Sequence, residues 1–178
     1  METASRVGTP PRLRGARVID EIKAAGVEYV LSVPDQHTSA GLLMPIAKDR
    51  DFKLIRVCKE DECLGIAAGS TYRNRRSLIL VQYTGFLYAV NAIRGVACEQ
   101  KLPICMMIGM LGKEPGAAPG DSKRFGLRII EPILDVLGIS HTCVETDADT
   151  PAISAKIEEA WAQSKPTAIL IGGRPEAA

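Results

Sequence analysis

Histidine is scarce in this sequence of 178 residues: only His37 and His141 occur, and neither has partner ligands at metal-binding spacing, so the chain's own residues predict no metal centre. The five cysteines, Cys58, Cys63, Cys98, Cys105 and Cys143, form no CxxC pair. An odd number spread through apolar stretches reads as reduced core thiols in a cytoplasmic protein, not as a disulfide framework. Neither sign of charge is in excess, with 22 basic against 21 acidic residues. No global field therefore draws nucleic acid or an anionic membrane, and any anion selectivity must be local. GxGxxG and GKS/GKT loops are missing, which removes the main sequence support for dinucleotide or nucleoside triphosphate binding. Without GxSxG there is no serine-hydrolase elbow. The first sixteen residues hold no apolar run long enough for a signal peptide or membrane span. They read as a flexible tail, 1–16, ahead of a single domain, 17–178.

What is present is the profile of an ordinary globular domain, 46% hydrophobic and 24% charged. At this size folding buries roughly 70% of the unfolded surface, enough without staples. From Ala16 onward, strand-like apolar runs alternate with helix-period segments. That order predicts an α/β fold: a doubly wound, mostly parallel six-stranded sheet with helices on both faces. Strands are expected at 28–32, 53–57, 77–82, 103–108, 139–144 and 167–171. Helices are expected at 17–25, ending at a left-handed Gly26, and at 39–48, 63–72, 87–98, 125–137 and 150–164. Loops are expected around 83–86 and across 109–124.

Ligands of open parallel sheets bind outside the carboxyl ends of strands, which nominates the loops 33–38, 58–62, 83–86 and 109–124. The second carries the acidic run Glu60-Asp61-Glu62. An acidic residue there ordinarily answers the dipole of the helix that follows. His37 has an ordinary pKa suited to proton relay or to contact with a carboxylate, but its loop reads as solvent-facing. Lys123 and Arg124 are the cations placed to meet an anionic substrate, and Arg73, Arg75 and Arg76 read as helix-end capping and solvation.

Lys59-Glu60 followed by Gly65-Ile66-Ala67-Ala68-Gly69 resembles the signature of pyrimidine-binding domains in thiamine diphosphate-dependent 2-oxoacid decarboxylases. Two further stretches extend it. Val33-Pro34-Asp35 resembles the Gly-Val-Pro-Asp loop of the phosphonopyruvate and sulfopyruvate decarboxylases, with Ser32 in place of the glycine. Gln82-Tyr83-Thr84-Gly85, with Asn91 downstream, resembles their Gln-Asn-Ser-Gly segment, from which Tyr83 and Leu87 depart.

The resemblance implies that Glu60 hydrogen-bonds a ring nitrogen of the cofactor's aminopyrimidine and favours its imino tautomer. It also implies cofactor contacts from Pro34, Thr84, Gly85 and Asn91; substrate contacts are expected from Asp35 and His37 on the first loop and from Lys123 and Arg124 on the long loop. The family's magnesium-binding motif, beginning Gly-Asp-Gly and ending in asparagine, does not occur, and Gly120-Asp121-Ser122 does not qualify. Thiamine diphosphate and Mg2+ would then be held partly by a diphosphate-binding beta-type subunit, in an α2β2 or larger assembly. The implied reaction is decarboxylation of an anionic 2-oxoacid such as sulfopyruvate or phosphonopyruvate to the aldehyde. A carboligase subunit and a non-catalytic flavodoxin-like binding module are the alternatives.

Overall fold

In the computed structural model, which describes residues 12–177, the strands are β1 (Tyr29–Ser32), β2 (Lys53–Arg56), β3 (Ser77–Gln82), β4 (Cys105–Gly109), β5 (Ser140–Val144) and β6 (Thr167–Ile171). They form one sheet in the order β2-β1-β3-β4-β6-β5, and every pairing is parallel. Parallel neighbours need crossovers, and helices supply them. The helices are α1 (Gly15–Ala24), α2 (Met44–Lys48), α3 (Glu62–Tyr72), α4 (Tyr83–Ala92), α5 (Phe125–Arg128), α6 (Ile130–Val136) and α7 (Pro151–Gln163).

One face of the sheet packs on α3, α4, α5 and α6 through Leu64, Phe86, Leu127 and Ile130. The other packs on α1, α2 and α7 through Ile22, Ile46 and Ile157. Because β4 and β6 are buried throughout, they read as unbroken apolar runs. The edge strands β2 and β5 tolerate Lys53, Arg56 and Ser140.

The expected helix 87–98 turns into a wide π turn at Ile93–Cys98 and the strand expected at 103–108 runs Cys105–Gly109, and three further differences have a physical reason. The expected loop 83–86 is the first turn of α4: Thr84-Gly85 signals a turn, but Phe86 and Ala89 bury against the sheet and draw the helix back to Tyr83. The expected helix 39–48 opens as a wide π turn at Ser39–Leu43 before α2. Pro45 has no N–H to give the Gly41 carbonyl. The expected helix 125–137 breaks at Ile129 between α5 and α6. There the Pro132 ring would meet the carbonyl of Arg128. Gly26 does take the left-handed cap conformation, at φ +68°.

Of the expected tail 1–16, residues 1–11 lie outside the described residues, while 12–16 are packed and not a free tail. Leu13 is 2% exposed and joins the core beneath α1, and Gly15 N–H donates to Glu176 O at 2.9 Å. A Cβ on Gly15 would stand 1.9 Å from the Gly41 carbonyl oxygen, so two backbones meet here.

Cys63 and Cys105 are buried, and burial pushes both thiols up to about 12. Cys58, expected in the core, is exposed at the end of β2. We expect a thiol-disulfide reagent at pH 8 to label Cys58 first in the native chain, Cys63 and Cys105 reacting only on unfolding. Mass spectrometry of the labelled peptides checks this.

Candidate functional site

The sheet order creates a switch point between β1 and β3, since the chain proceeds from β1 to β2 on one side and from β3 to β4 on the other. The crevice at their carboxyl ends is where such a sheet takes ligands. Glu60 reaches it from the turn between β2 and α3. Its half-buried side chain lies over Gly85, where an added Cβ would be 2.4 Å from Glu60 Cγ and Oε1. The absence of a side chain at position 85 gives the carboxyl group its place.

Glu60 is not the residue that caps α3. Glu62 Oε2 accepts from the Cys58 N–H at 3.0 Å and the Lys59 N–H at 3.3 Å. The Glu60 carboxyl has no hydrogen-bond partner among the described residues. Beside it, Asp61 Oδ1 is buried and also lacks a partner there. The Glu60 carboxyl thus presents acceptor capacity that the described residues leave unsatisfied, while the orphaned Asp61 oxygen is enclosed by the protein.

The loop after β1 is built by Asp35. Its Oδ1 accepts from the N–H groups of His37 at 2.5 Å and Thr38 at 2.7 Å, and its Oδ2 from Thr38 Oγ1 at 2.6 Å. Both oxygens are engaged in shaping the turn. His37, expected to face solvent, is 5% exposed. Its Nε2 lies 2.9 Å from Ile171 O and must carry a proton to donate there. Gly109 makes the room: a Cβ would stand 3.3 Å from the His37 ring and 3.1 Å from Thr38 Cγ2.

Pro34 lines a separate recess of about 240 Å³ with Leu43, Met44 and Arg56. Thr84 is exposed beside Gly85. Asn91 lies six residues beyond Gly85, about 9 Å along α4 at the helical rise, where it accepts from Arg94 Nη2 at 3.1 Å. The structure does not bring it to Glu60. Tyr83 and Leu87 are occupied in packing. The Tyr83 ring covers Gly126, whose Cβ would lie 2.8 Å from it, and Leu87 packs on the core.

The long loop is held to itself and to its neighbours. Glu114 accepts from Ser122 Oγ at 2.8 Å and the Lys123 N–H at 3.3 Å, and the Ser122 bond leads in holding its carboxyl below the usual range. Lys123 and Arg124 are exposed, and Arg124 lies over Gly112. The cations that share a cavity with His37 are Lys113 and Arg174, facing Glu145 in a space of about 350 Å³. Sequence reasoning missed all three. Glu145 directly follows β5 and Arg174 closely follows β6, so the carboxyl-end rule would have found them had it been applied to the last two strands.

Burial leads in lowering the pKa of His37, against the opposing bond to Ile171. A histidine depressed in the folded state is neutral in both states above its ordinary value of 6.5. As pH falls below that value the unfolded chain takes the proton first, so stability is lost down to the folded pKa. We expect thermal stability to fall below pH 6.5, above the carboxylate range, and His37→Gln to flatten that part of the profile. Thermal melts at stepped pH measure it.

No family model matches the chain. Among curated proteins, a sulfopyruvate decarboxylase subunit alpha from Methanocaldococcus jannaschii is 28% identical over 128 residues, 71% of this chain and 74% of that one. The subunit of the same name from Methanococcus maripaludis is 30% identical over 95 residues, 53% of this chain and 56% of that one. A sulfopyruvate decarboxylase from Methanosarcina acetivorans is 24% identical over 158 residues, 87% of this chain but 39% of that protein. The chain thus aligns with little more than half of the Methanococcus subunit and well under half of the Methanosarcina protein.

Proposed function

Because the chain is a relative of the sulfopyruvate decarboxylase alpha subunits, we propose that it is the pyrimidine-binding subunit of a thiamine diphosphate-dependent decarboxylase. Its substrate would be an anionic 2-oxoacid, sulfopyruvate first and phosphonopyruvate second. The observation that carries this reading is the free Glu60 carboxyl group held over Gly85 at the sheet's switch point. The residues fit an aminopyrimidine ring: a carboxyl group without a competing partner, a floor without a side chain, and a crevice at the expected edge.

When bound, thiamine diphosphate supplies a carbon nucleophile for the 2-oxo group and an electron sink for the departing carboxylate. Glu60 would hold a proton at a carboxyl oxygen for a ring nitrogen of that group to share, favouring the imino tautomer of its amino group. Gly85 keeps that oxygen in the crevice. Asp35 fixes the backbone of the β1 loop at the crevice's margin.

The outer surfaces of α3 and α4 support a partner subunit. From Cys63 to Tyr72 and from Tyr83 to Ile93 the chain carries no charged residue, although Tyr72 and Tyr88 are 72% and 57% exposed. A surface helix uncharged all round is one that expects cover. Helices α1 and α7, on the opposite face, carry Arg17, Asp20, Glu21, Lys156 and Glu158. The partner supplies the diphosphate and Mg2+ site for which this chain has no motif, so the active site lies between subunits.

The test is co-expression with a diphosphate-binding subunit and assay of carbon dioxide release from sulfopyruvate, with thiamine diphosphate and Mg2+ present. Release that depends on both chains supports the reading. A complex that binds cofactor but releases none moves carboligation ahead. A complex that binds no cofactor ends the enzyme reading.

A further inference from the structure

The cavity that His37 shares with Lys113, Glu145 and Arg174 has no part in the steps above. It lies at the carboxyl ends of β4, β5 and β6. The Lys113 side chain is 1% exposed and paired with Glu145, and its Nζ also donates to Glu114 O at 3.2 Å. A charge enclosed this way is held in one place instead of sampling solvent. Glu145 is engaged on both oxygens, by Lys113 on one and by the Gly116 N–H at 3.2 Å on the other.

Arg174 differs. It makes no ion pair or side-chain hydrogen bond among the described residues, so its fork of donors is free. Two cations, one carboxylate and a neutral imidazole leave the cavity with a positive excess. The floor is made of backbone. A Cβ on Gly173 would lie 2.2 Å from Glu145 O, and one on Gly172 would lie 3.0 Å from Glu145 Cγ. These glycines let the segments after β5 and β6 approach closely, and the space for a small group is the cavity of about 350 Å³ beside them.

Strand β6 is the second neighbour of β3, which at the usual spacing places its end about 10 Å from the strand that leads into Gly85. A three-carbon 2-oxoacid is shorter than that, its sulfur or phosphorus two bonds from the reacting carbon, so the long side chain of Arg174 has to reach from the end of β6 toward the crevice to meet it. We propose that this cavity is an anion subsite for the second acidic group of the 2-oxoacid, a tetrahedral sulfonate or phosphonate. Arg174 makes the contact by its planar fork, and the Lys113–Glu145 pair supports the cavity wall. The identity of the anion rests on the function proposed above; the existence of the subsite does not.

Two measurements test it. The first titrates the full chain with sulfoacetate and follows the ring protons of its two histidines by NMR, with His37→Gln assigning the signal. A saturable shift of His37 that disappears in Arg174→Gln is expected. No shift, or one that persists in the variant, overturns the subsite. The second uses the assembled complex. Arg174→Gln should raise KM for sulfopyruvate about ten- to hundredfold with kcat little changed, the scale of one charge-assisted hydrogen bond, and Arg174→Lys should restore part of it. An unchanged KM overturns the assignment to substrate. Arg174 is exposed, so its replacement leaves the core intact. Sulfoacetate binding without any carbon dioxide release removes the decarboxylase reading and leaves the subsite standing; release with an unchanged KM leaves the decarboxylase reading standing and removes the assignment of the subsite to the substrate.

Discussion

Glu60→Gln should lower the rate of carbon dioxide release from sulfopyruvate by about 10²- to 10⁴-fold, the range over which a positioned acid or base contributes to a reaction. Glutamine keeps the length and shape of the side chain and can still lie over Gly85. It lacks the exchangeable carboxyl proton that a ring nitrogen would share. The substitution should leave the fold unaffected, because the Glu60 carboxyl has no hydrogen-bond partner among the described residues, and the turn that leads into α3 is tied by Glu62. A change in stability within about 0.5 kcal/mol is expected, as for other surface positions without partners. Initial rates and thermal melts on the same assembled preparation provide both numbers. A rate within about threefold of the unsubstituted complex, far below the span of acid–base catalysis, would remove Glu60 from the chemistry. Glu62→Gln is the control: it weakens bonds to Cys58 and Lys59, so it should reduce stability before it reduces rate.

The place of Glu60, on a turn at a strand's carboxyl end, was legible in the sequence because its signal is local: a strand, an acidic turn and the helix that follows. Strands β3 and β6 were legible to the residue because continuous apolar runs flanked by polar turns leave little choice of boundary. His37 was not. Its burial depends on the empty space at Gly109 and on the carbonyl of Ile171, a residue 134 positions away. No local pattern carries that information. The cavity around Arg174 was legible only in part: the carboxyl-end rule nominates the residues after β5 and β6, but only the sheet order brings those loops together with the one after β4. The start of α4 failed in the opposite direction. Thr84-Gly85 carries a true local preference for a turn, and burial of Phe86 overrides it. Local chemistry could be read from the sequence; long-range juxtaposition required the fold.

Gly85→Ala separates the two roles that position 85 combines. Glycine inside a helix costs about 1 kcal/mol relative to alanine, so the substitution within α4 should stabilise the chain if nothing else stood in the way. What stands there is the end of the Glu60 side chain, which a new Cβ would meet at 2.4 Å. A flexible side chain yields more readily than backbone, so Glu60 should swing aside while the helix stays intact. The expected result is a variant that melts no lower than the parent yet loses most of its carbon dioxide release. That combination distinguishes a displaced carboxyl group from a damaged fold. The coupling can be measured directly by making the same change in a Glu60→Ala background, where there is no carboxyl group to displace. There Gly85→Ala should have little further effect on the residual rate and should raise stability by up to about 1 kcal/mol. Equal rate losses in both backgrounds would mean that position 85 acts independently of Glu60, for example by direct crowding of the ligand, and the glycine would then have to be reassigned from seating the carboxyl group to forming the wall of the binding site.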